Sequence, residues 1–255
     1  MKITKEQIAS WDACQDGYKW FLRRFPEGNA EYQDVLNALA KDDRPDYAEW
    51  LMSYAGPDMA AVIEADEIAD CKHFFAAGEL IVETTIIVPG SIRAGRSIRA
   101  GGVIQAGGGV RAGDCIDAGG GIDAGGGIWA GGSIRSDYDI EADYCIKAGG
   151  GIRVDDSIRA GGCIKAVRGI KAADDIETGD CIEAGGGIEA GGCISAGRGI
   201  SAGKGIKAGD DFGVFAGLRI RLPDWAKFAR VVSKNKPKNL VSGYWVPAIA
   251  EEKAA

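Results

Sequence analysis

Seven cysteines and one histidine are the residues of this sequence whose types could support metal binding, redox chemistry or acid–base catalysis. No two cysteines form a Cys-x-x-Cys pair, so their spacing indicates neither a zinc site nor a redox motif. His73 alone leaves no basis for a histidine metal cluster or a histidine-assisted triad. We therefore expect no catalytic residue, no metal, no cofactor and no enzyme activity. The cysteines are Cys14, Cys71, Cys115, Cys145, Cys163, Cys181 and Cys193.

Five of these cysteines occupy one equivalent position of an internal repeat, where Gly or Ser is usual. They are interpreted as small space-filling residues in a reducing cytoplasm. Two chemistries known for Gly-rich repeats fit poorly. Hexapeptide acyltransferases place the small inward residue two positions before the aliphatic one, whereas here it follows by two. Calcium-binding rolls use nine-residue repeats, which makes a calcium site at Asp155, Asp156, Asp174 or Asp175 a weak alternative.

Composition limits the class of protein. The 255 residues include 40 glycines but only seven prolines, and 46% are hydrophobic, which excludes collagen and a disordered tail. The net charge of −7 argues against a protein that coats nucleic acid along its whole surface. Residues 1–10 are charged, without the apolar stretch of a secretory signal, and no run is long enough to span a membrane. We expect a cytoplasmic protein of a bacterial or phage-infected cell.

A six-residue repeat dominates the sequence. An aliphatic or aromatic residue returns every six positions from Ile92 to Leu218, 22 times without an insertion, and the consensus unit is Ile-x-Ala-Gly-Gly-Gly. The first three residues of the unit, a large, a polar and a small one, have the pattern of a three-residue strand whose first and third side chains face inward. The consecutive glycines that follow permit a tight corner. The repeat therefore predicts a mainly β protein, a parallel β-solenoid whose coils pair with the coils above and below.

The number of strands per coil stays open. Non-glycine corners at 137–139, 155–157 and 173–175 recur in every third unit, which favours three strands per coil. With two strands per coil, alternate units would align on one face as a basic stripe. The candidate partner-binding residues of that stripe are Arg99, Arg111, Arg135, Lys147, Arg159 and Lys171.

The flanks of the repeat differ from it in composition. Residues 1–60 predict a helical module: Thr4 and Gln7 form a capping-box pattern, and Pro45 and Gly56 mark the ends of a fourth helix. Residues 61–91 are predicted as degenerate first coils, 92–218 as the regular solenoid and 219–255 as a short β cap. In that cap we expect two strands, 225–232 and 240–246, joined by a hairpin loop.

The amino-terminal sequence resembles a small Trp-rich module of uncharacterised bacterial and phage proteins, in which Gly-Ile-x-Ala hexad arrays follow. The resemblance covers essentially the whole chain and implies a phage or mobile-element setting, without an activity or a site. It rests on Trp11 to Cys14, Gly17, Trp20-Phe21, Phe25-Pro26, Tyr32, Val35-Leu36, Ala38-Leu39 and Tyr47 to Leu51.

Candidate binding residues are those displayed outward, because the inward residues hardly vary. Three large aromatic residues are displayed: Trp129 at an outward strand position, and Tyr138 and Tyr144 at corners. Such residues often anchor a protein partner. Packing against a flanking domain explains them equally well. Lys234, Lys236 and Lys238 are candidate nucleic-acid contacts in the basic segment that follows the repeat.

The sequence thus predicts a non-catalytic protein that presents a rigid charged surface to a macromolecule. The first hypothesis is a phage or mobile-element protein that inhibits or adapts a bacterial protein complex, such as a defence system. A nucleic-acid-binding or DNA-mimicking solenoid is the second. A structural rod, which oligomerises through a solenoid end or the helical module, is the third.

Overall fold

The computed structural model describes residues 1–248 as a small helical module followed by a three-sided parallel β-solenoid. The strand that begins at Val110 pairs with the strands that begin at Ile92 and Ile128, so each strand pairs with the third strand before it and the third after it. Three six-residue units therefore complete one coil, and the alternative with two strands per coil is wrong. Corners that carry aspartate recur in every third unit because they stack on one another.

The solenoid has three faces within residues 1–248, each a parallel sheet. Face 1 contains Val62–Ala65, Glu79–Val82, Ile98–Ala100, Ile116–Ala118, Ile134–Ser136, Ile152–Val154, Ile170–Ala172, Ile188–Ala190 and Ile206–Lys207. Face 2 contains Ile86–Val88, Ile104–Ala106, Ile122–Ala124, Ile140–Ala142, Ile158–Ala160, Ile176–Thr178, Ile194–Ala196, Val214–Ala216 and Leu240–Ser242. Face 3 contains Phe74–Ala76, Ile92–Ala94, Val110–Ala112, Ile128–Ala130, Ile146–Ala148, Ile164–Ala166, Ile182–Ala184, Ile200–Ala202, Arg230–Ser233 and Tyr244–Pro247.

The core of the solenoid is a continuous stack of isoleucines and alanines. In nearly every regular strand the first and third residues are buried and the middle residue faces outward, as in Ile128, Trp129 and Ala130. Identical side chains stack from coil to coil, at about 4.8 Å per coil. The middle residue of each strand is therefore the displayed residue, and the face it belongs to decides which surface it joins.

Polar side chains at the corners pair with the next coil. The residue before each isoleucine can accept a hydrogen bond from the backbone N–H of the equivalent residue in the following coil. Ser133 Oγ accepts from Gly151 N at 3.2 Å, Asp175 Oδ1 from Cys193 N at 2.6 Å, and Cys145 Sγ from Cys163 N at 3.2 Å. Serine, aspartate and cysteine at this position thus satisfy backbone donors that strand pairing leaves over.

The helical module has the four helices that the sequence predicts: α1 (Lys5–Ser10), α2 (Gln15–Arg24), α3 (Tyr32–Lys41) and α4 (Pro45–Ala55). The Thr4–Gln7 capping box is present, and α4 is followed by Gly56 at a φ of 69°. The module also contains an antiparallel pair of short strands, Lys2–Thr4 and Asn29–Glu31. No helix within residues 1–248 combines the length and apolar character needed to cross a membrane.

The helical module packs on the first coils at face 3. Phe75 and Ala77 are buried in the core of the module although they belong to the first strand of face 3 and its following corner. From α4, Glu49 accepts hydrogen bonds from Arg93 at 2.9 Å and from Arg111 at 2.6 Å, which are displayed residues of two successive coils. The module is therefore attached by both apolar burial and ion pairs.

The carboxy-terminal segment corrects two sequence predictions. The regular repeat ends at Ile206, since Phe212 and Leu218 are exposed instead of buried. The next core position, in register with Ile194, is occupied by Val214, so this coil is longer than three six-residue units. The expected strand over 225–232 begins with a 3₁₀ turn (Leu222–Asp224) and a helix, α5 (Trp225–Phe228); only Arg230–Ser233 is strand. Pro223 favours the helical start because its φ is fixed.

The two last strand regions do not form a hairpin. Arg230–Ser233 and Tyr244–Pro247 pair in parallel on face 3, and Leu240–Ser242 continues face 2. Val231 lies in register with Ile200 because its side chain continues the apolar stack. The predicted β cap is thus an extension of the coil, and its part beyond residue 248 lies outside the described residues.

Candidate functional site: the charged faces of the solenoid

The three faces separate the displayed charges of the regular strands. In the part of the chain that the structure describes, face 2 displays Asp123, Glu141 and Glu177 with a single cation, Arg159. The other two faces are richer in cations, so the single basic stripe expected for two strands per coil is divided among three faces. Face 3 displays Arg93, Arg111, Lys147 and Lys165 with Glu183, and face 1 carries Arg99, Arg135, Arg153, Lys171 and Lys207 with Glu64, Asp117 and Glu189.

A groove of about 890 Å³ lies on face 1 and the corner that joins face 3 to face 1. Its floor includes Gly151, Gly169, Gly187 and Gly205, one from each of four successive coils. Glycine at these positions lets a ligand approach the backbone. Six cations and one acid line this basic groove: Arg135, Arg153, Arg168, Lys171, Lys204, Lys207 and Glu189.

Within residues 1–248, most cations of the basic groove have no carboxylate within ion-pair distance. Arg153 lies 3.6 Å from Asp155, and Lys171 lies 3.7 Å from Glu189. Stacked like charges on adjacent strands repel one another, so an anionic ligand would stabilise this surface. Among residues 1–248, the other four groove cations, Arg135, Arg168, Lys204 and Lys207, have no carboxylate within ion-pair distance, although Asp117 lies opposite Arg135 and Glu189 opposite Lys207 on the paired strands.

Two predicted cations outside the groove are already used within the protein. Arg99 forms an ion pair with Glu79, and Arg111 with Glu49 of the helical module. Each of these carboxylates is shared with a second guanidinium, Arg96 at Glu79 and Arg93 at Glu49, so the two charges are partly compensated. Arg111 also contributes to the attachment of the module.

The three carboxy-terminal lysines extend the basic groove. Lys234, Lys236 and Lys238 are exposed in the segment between Arg230–Ser233 and Leu240–Ser242. The backbone N–H of Lys234 donates to the carbonyl of Lys204 at 3.0 Å, so this segment lies beside the last coil of the groove. The sequence pattern did not join these lysines to the repeat, because Lys234 and Lys204 are far apart along the chain.

Two of the three predicted aromatic anchors meet in a second groove. Trp129, Tyr144 and Lys147 line a concavity of about 310 Å³ between face 3 and the corner that joins face 2 to face 3. The guanidinium of Arg111 lies 3.9 Å from the Trp129 ring centroid, yet Trp129 is still 46% exposed. This aromatic groove therefore combines one cation-stacked indole, one exposed phenol and one lysine.

Tyr138 lies elsewhere, on an acidic ridge at the corner that joins face 1 to face 2. The nearest Arg159 guanidinium nitrogen lies 3.9 Å from Asp139. Desolvation, followed by the charge of Asp139 and a hydrogen bond with Asp174, raises the pKa of the Asp156 carboxyl. The carboxylates of the ridge thus repel one another, and they are Asp137, Asp139, Asp155, Asp156, Asp174 and Asp175.

His73 is held in place by two hydrogen bonds. Its Nδ1 accepts from the backbone N–H of Ser91 at 2.9 Å, which leaves Nε2 to donate to Asp43 at 2.8 Å. The ring is buried and occupies the same corner position as Cys145 and Cys163 in later coils. His73 therefore connects the helical module to the first coils of the solenoid.

Three thiols stack in the corner that joins face 2 to face 3: Cys145, Cys163 and Cys181, one from each of three successive coils. The Sγ atoms of Cys163 and Cys181 are 2.9 Å apart, and Asp180 Oδ2 lies 3.5 Å from Cys163 Sγ. Burial and the neighbouring Cys163 raise the pKa of the Cys181 thiol. These cysteines are not close together in the sequence, so their spacing did not predict the cluster. The sequence feature that indicates it is the recurrence of cysteine at the same position in every third unit.

The helical module contains an apolar cavity of about 310 Å³ that the sequence did not indicate. It is lined by residues of all four helices, α1 to α4, together with the segment between α1 and α2. Cys14 at its edge caps α2, because its Sγ accepts from the Gly17 N–H at 3.3 Å. The lining includes Trp20, Tyr47 and Trp50, which are also among the residues that carry the family resemblance.

The fold is that of a helical module joined to a parallel β-solenoid. Similarity to known sequences was found for the helical module. Residues 1–56 match a family model described as the YdhT N-terminal domain. The uncharacterized protein YdhT of Escherichia coli (strain K12) is 40% identical over 55 residues, which is 22% of this chain and 20% of that protein. The chain therefore matches about a fifth of this curated relative's length. No solved structure matches the chain.

Proposed function

We propose that the chain is a non-catalytic binding protein whose basic groove contacts the phosphate backbone of a nucleic acid. The observation that carries this proposal is the convergence of six cations and one acid on one glycine-floored groove among the described residues, where Arg135, Arg168, Lys204 and Lys207 have no carboxylate within ion-pair distance. Phosphates would relieve the repulsion among these side chains and release condensed counterions.

The expected contact is with the backbone rather than with bases. No aromatic residue is among those lining the basic groove within residues 1–248, so it lacks the stacking platform that single-strand binders use. Phosphate contacts carry no sequence information. Binding should therefore be independent of sequence and strongly weakened by salt, with Lys234, Lys236 and Lys238 as further contacts at one end.

The test measures fluorescence anisotropy of a labelled DNA duplex over a range of salt concentrations. We expect the triple variant Arg135→Glu, Arg168→Glu, Lys204→Glu to bind much more weakly, with a salt slope smaller by about three. A matched control reverses the same number of charges at Lys19, Arg23 and Arg159, which are exposed outside the groove. Equal loss in both variants, or no binding by the unaltered protein at low salt, would reject the proposal.

A protein partner at the aromatic groove is the second candidate function. The exposed Trp129 and Tyr144, with Lys147 beside them, form the kind of aromatic surface that anchors protein interfaces. A more specific form of this hypothesis is that the chain is a cytoplasmic phage or mobile-element protein that inhibits or adapts a bacterial protein complex, such as a defence system. Its support is the resemblance of the amino-terminal sequence to a module of uncharacterised bacterial and phage proteins.

This second candidate is tested by affinity capture from a bacterial lysate treated with nuclease. We expect one stoichiometric host protein, released by the double variant Trp129→Ala, Tyr144→Ala but retained by Tyr138→Ala, whose ring is also exposed but lies on the acidic ridge. Capture of no specific protein, or equal retention by both variants, would reject the aromatic groove as a protein-binding site.

A further inference from the structure

The thiol cluster lies at the corner between faces 2 and 3, away from the basic groove, and has the composition of a metal site. Cys145 at one end of the stack also lines the aromatic groove. The sulfur atoms of Cys163 and Cys181 and a carboxylate oxygen of Asp180 all lie within 4.8 Å of one another. They come from two successive coils, which the parallel register brings side by side. Two thiolates and one carboxylate are a ligand set that suits a borderline-soft divalent ion.

We propose that Cys163, Cys181 and Asp180 bind a zinc ion. This inference is independent of the nucleic-acid groove. In tetrahedral zinc sites the Zn–S distance is about 2.3 Å, which places two sulfur ligands about 3.7 Å apart. The observed Sγ–Sγ separation of 2.9 Å must therefore widen by less than about 1 Å. Rotation about χ1 of two partly exposed side chains is sufficient for that change.

The carboxylate is already oriented toward the sulfurs. Arg198 Nε lies 3.3 Å from Asp180 Oδ1, which leaves Oδ2 directed at Cys163 Sγ at 3.5 Å. Metal-binding carboxylates usually have such an outer partner, which fixes their orientation. The Arg198 guanidinium would also offset part of the negative charge that two thiolates and a carboxylate bring to one zinc ion.

The site has three protein ligands and room for a fourth. Cys163, Asp180 and Cys181 are each partly exposed, so solvent can reach the site to supply a fourth ligand. Glu183, whose Oε1 lies 3.5 Å from Cys181 Sγ, is a neighbouring acid, but its other oxygen is held by Lys165 at 2.9 Å. A water molecule or a side chain of a binding partner would complete the tetrahedron.

A disulfide explains the cluster less well. The spacing of about 4.8 Å between stacked coils lies within the Cα···Cα range of disulfides, so the spacing of the coils does not separate the two alternatives. What separates them is Asp180, whose carboxylate oxygen lies 3.5 Å from Cys163 Sγ and has no function in a disulfide. A zinc ion bridges the two coils at their existing spacing and uses all three groups.

The experiment titrates the reduced full-length protein with Co²⁺, whose tetrahedral thiolate complexes have visible d–d bands and a sulfur-to-cobalt charge-transfer band. We expect one equivalent to bind, with displacement by Zn²⁺. Cys163→Ser and Cys181→Ser should abolish the charge-transfer band, and Arg198→Ala should weaken binding by about tenfold.

Serine is a suitable replacement because serine already occupies the same position before the isoleucine at Ser133 and Ser157, so these variants should retain the fold. Cys115→Ser is the matched control, because Cys115 occupies the same position before an isoleucine but, within the part of the chain that the structure describes, has no second thiol beside it. Its Sγ accepts a hydrogen bond from the backbone N–H of Ser133 at 3.4 Å, and the neighbouring coil carries serine there. No charge-transfer band, an unchanged band in Cys163→Ser, or a mass spectrum showing a Cys163–Cys181 disulfide in the protein purified under reducing conditions would overturn the proposal.

Discussion

The side-chain amide of Gln33 pairs with the backbone of the first face 3 strand at Phe75. Gln33 Nε2 donates to the Phe75 carbonyl at 2.7 Å, and its Oε1 accepts from the Ala77 N–H at 2.8 Å. One glutamine thus makes the two hydrogen bonds that a further strand would make. Uncovered strand edges are templates for association, and Gln33 blocks this one.

Replacement of Gln33 by leucine should therefore promote self-association. The variant leaves the Phe75 carbonyl and the Ala77 N–H without partners while preserving the helix propensity of α3. We expect concentration-dependent oligomers in sedimentation velocity. Asn37→Ala is the control, because Asn37 contacts Gln33 at 2.9 Å but not the strand. A monomeric Gln33→Leu protein at all concentrations would show that other groups protect this edge.

Neutralising Glu49 should weaken the attachment of the helical module. The hydrogen bond from Arg93, and then the charges of Arg93 and Arg111, hold the pKa of Glu49 below its usual range. A carboxyl whose pKa is lowered in the folded state stabilises that state above its unfolded pKa and loses this effect as pH falls through the folded pKa.

We expect Glu49→Gln to melt at a lower temperature at pH 7, with a loss of no more than about 1 kcal/mol because these side chains are partly exposed. The difference from the unaltered protein should shrink as pH falls through the lowered folded-state pKa of Glu49 and disappear once the carboxyl is protonated in both states. Near-ultraviolet circular dichroism of the module's tryptophans reports the transition. Glu27→Gln, an exposed control in the same module, should have no effect at either pH.

Truncation of one core isoleucine should cost far more than truncation of its displayed neighbour. Ile128 is fully buried, so Ile128→Ala is expected to lower the free energy of unfolding by about 2–5 kcal/mol. Trp129→Ala removes an exposed side chain and its contact with Arg111, worth about 1 kcal/mol. Guanidinium unfolding followed by far-ultraviolet circular dichroism measures both, and similar losses would contradict the continuous core.

Removal of the Asp156 charge should stabilise the protein. The pKa of the Asp156 carboxyl is raised in the folded state, so the folded protein binds this proton more tightly than the unfolded chain does. The free energy of unfolding therefore increases as pH falls through that pKa. Asp156→Asn should therefore raise the melting temperature at pH 7 but not at acidic pH, where the carboxyl is already neutral. Asp155→Asn is the opposite control, because it removes the ion pair with Arg153 and should not stabilise.

Local signals made much of the fold predictable. The isoleucine period and the glycine corners specify strand length, inward and outward positions, and parallel stacking without reference to distant residues. The Thr4–Gln7 box, Pro45 and Gly56 likewise mark helix ends, because capping depends on residues only a few positions apart.

Closure of the coil was not determined by the repeat, because a six-residue unit is compatible with two or three strands per coil. The composition of each surface depends on that number, so the basic groove and the aromatic groove required the structure. The contacts of Cys163 with Cys181 and of Gln33 with Phe75 also required the structure, since each joins residues that the sequence keeps far apart. The recurrence of cysteine in every third unit indicates the first contact once the coil is known to have three strands.

The three-unit register gives insertions two very different consequences. A whole added coil would lengthen the rod by about 4.8 Å and leave every later side chain on its original face. A single added unit would keep the core intact but rotate everything downstream by one face, and between Cys163 and Cys181 it would separate the two thiols. Duplication of whole coils, rather than of single units, is therefore the genetic change that can lengthen this protein without rearranging its surfaces.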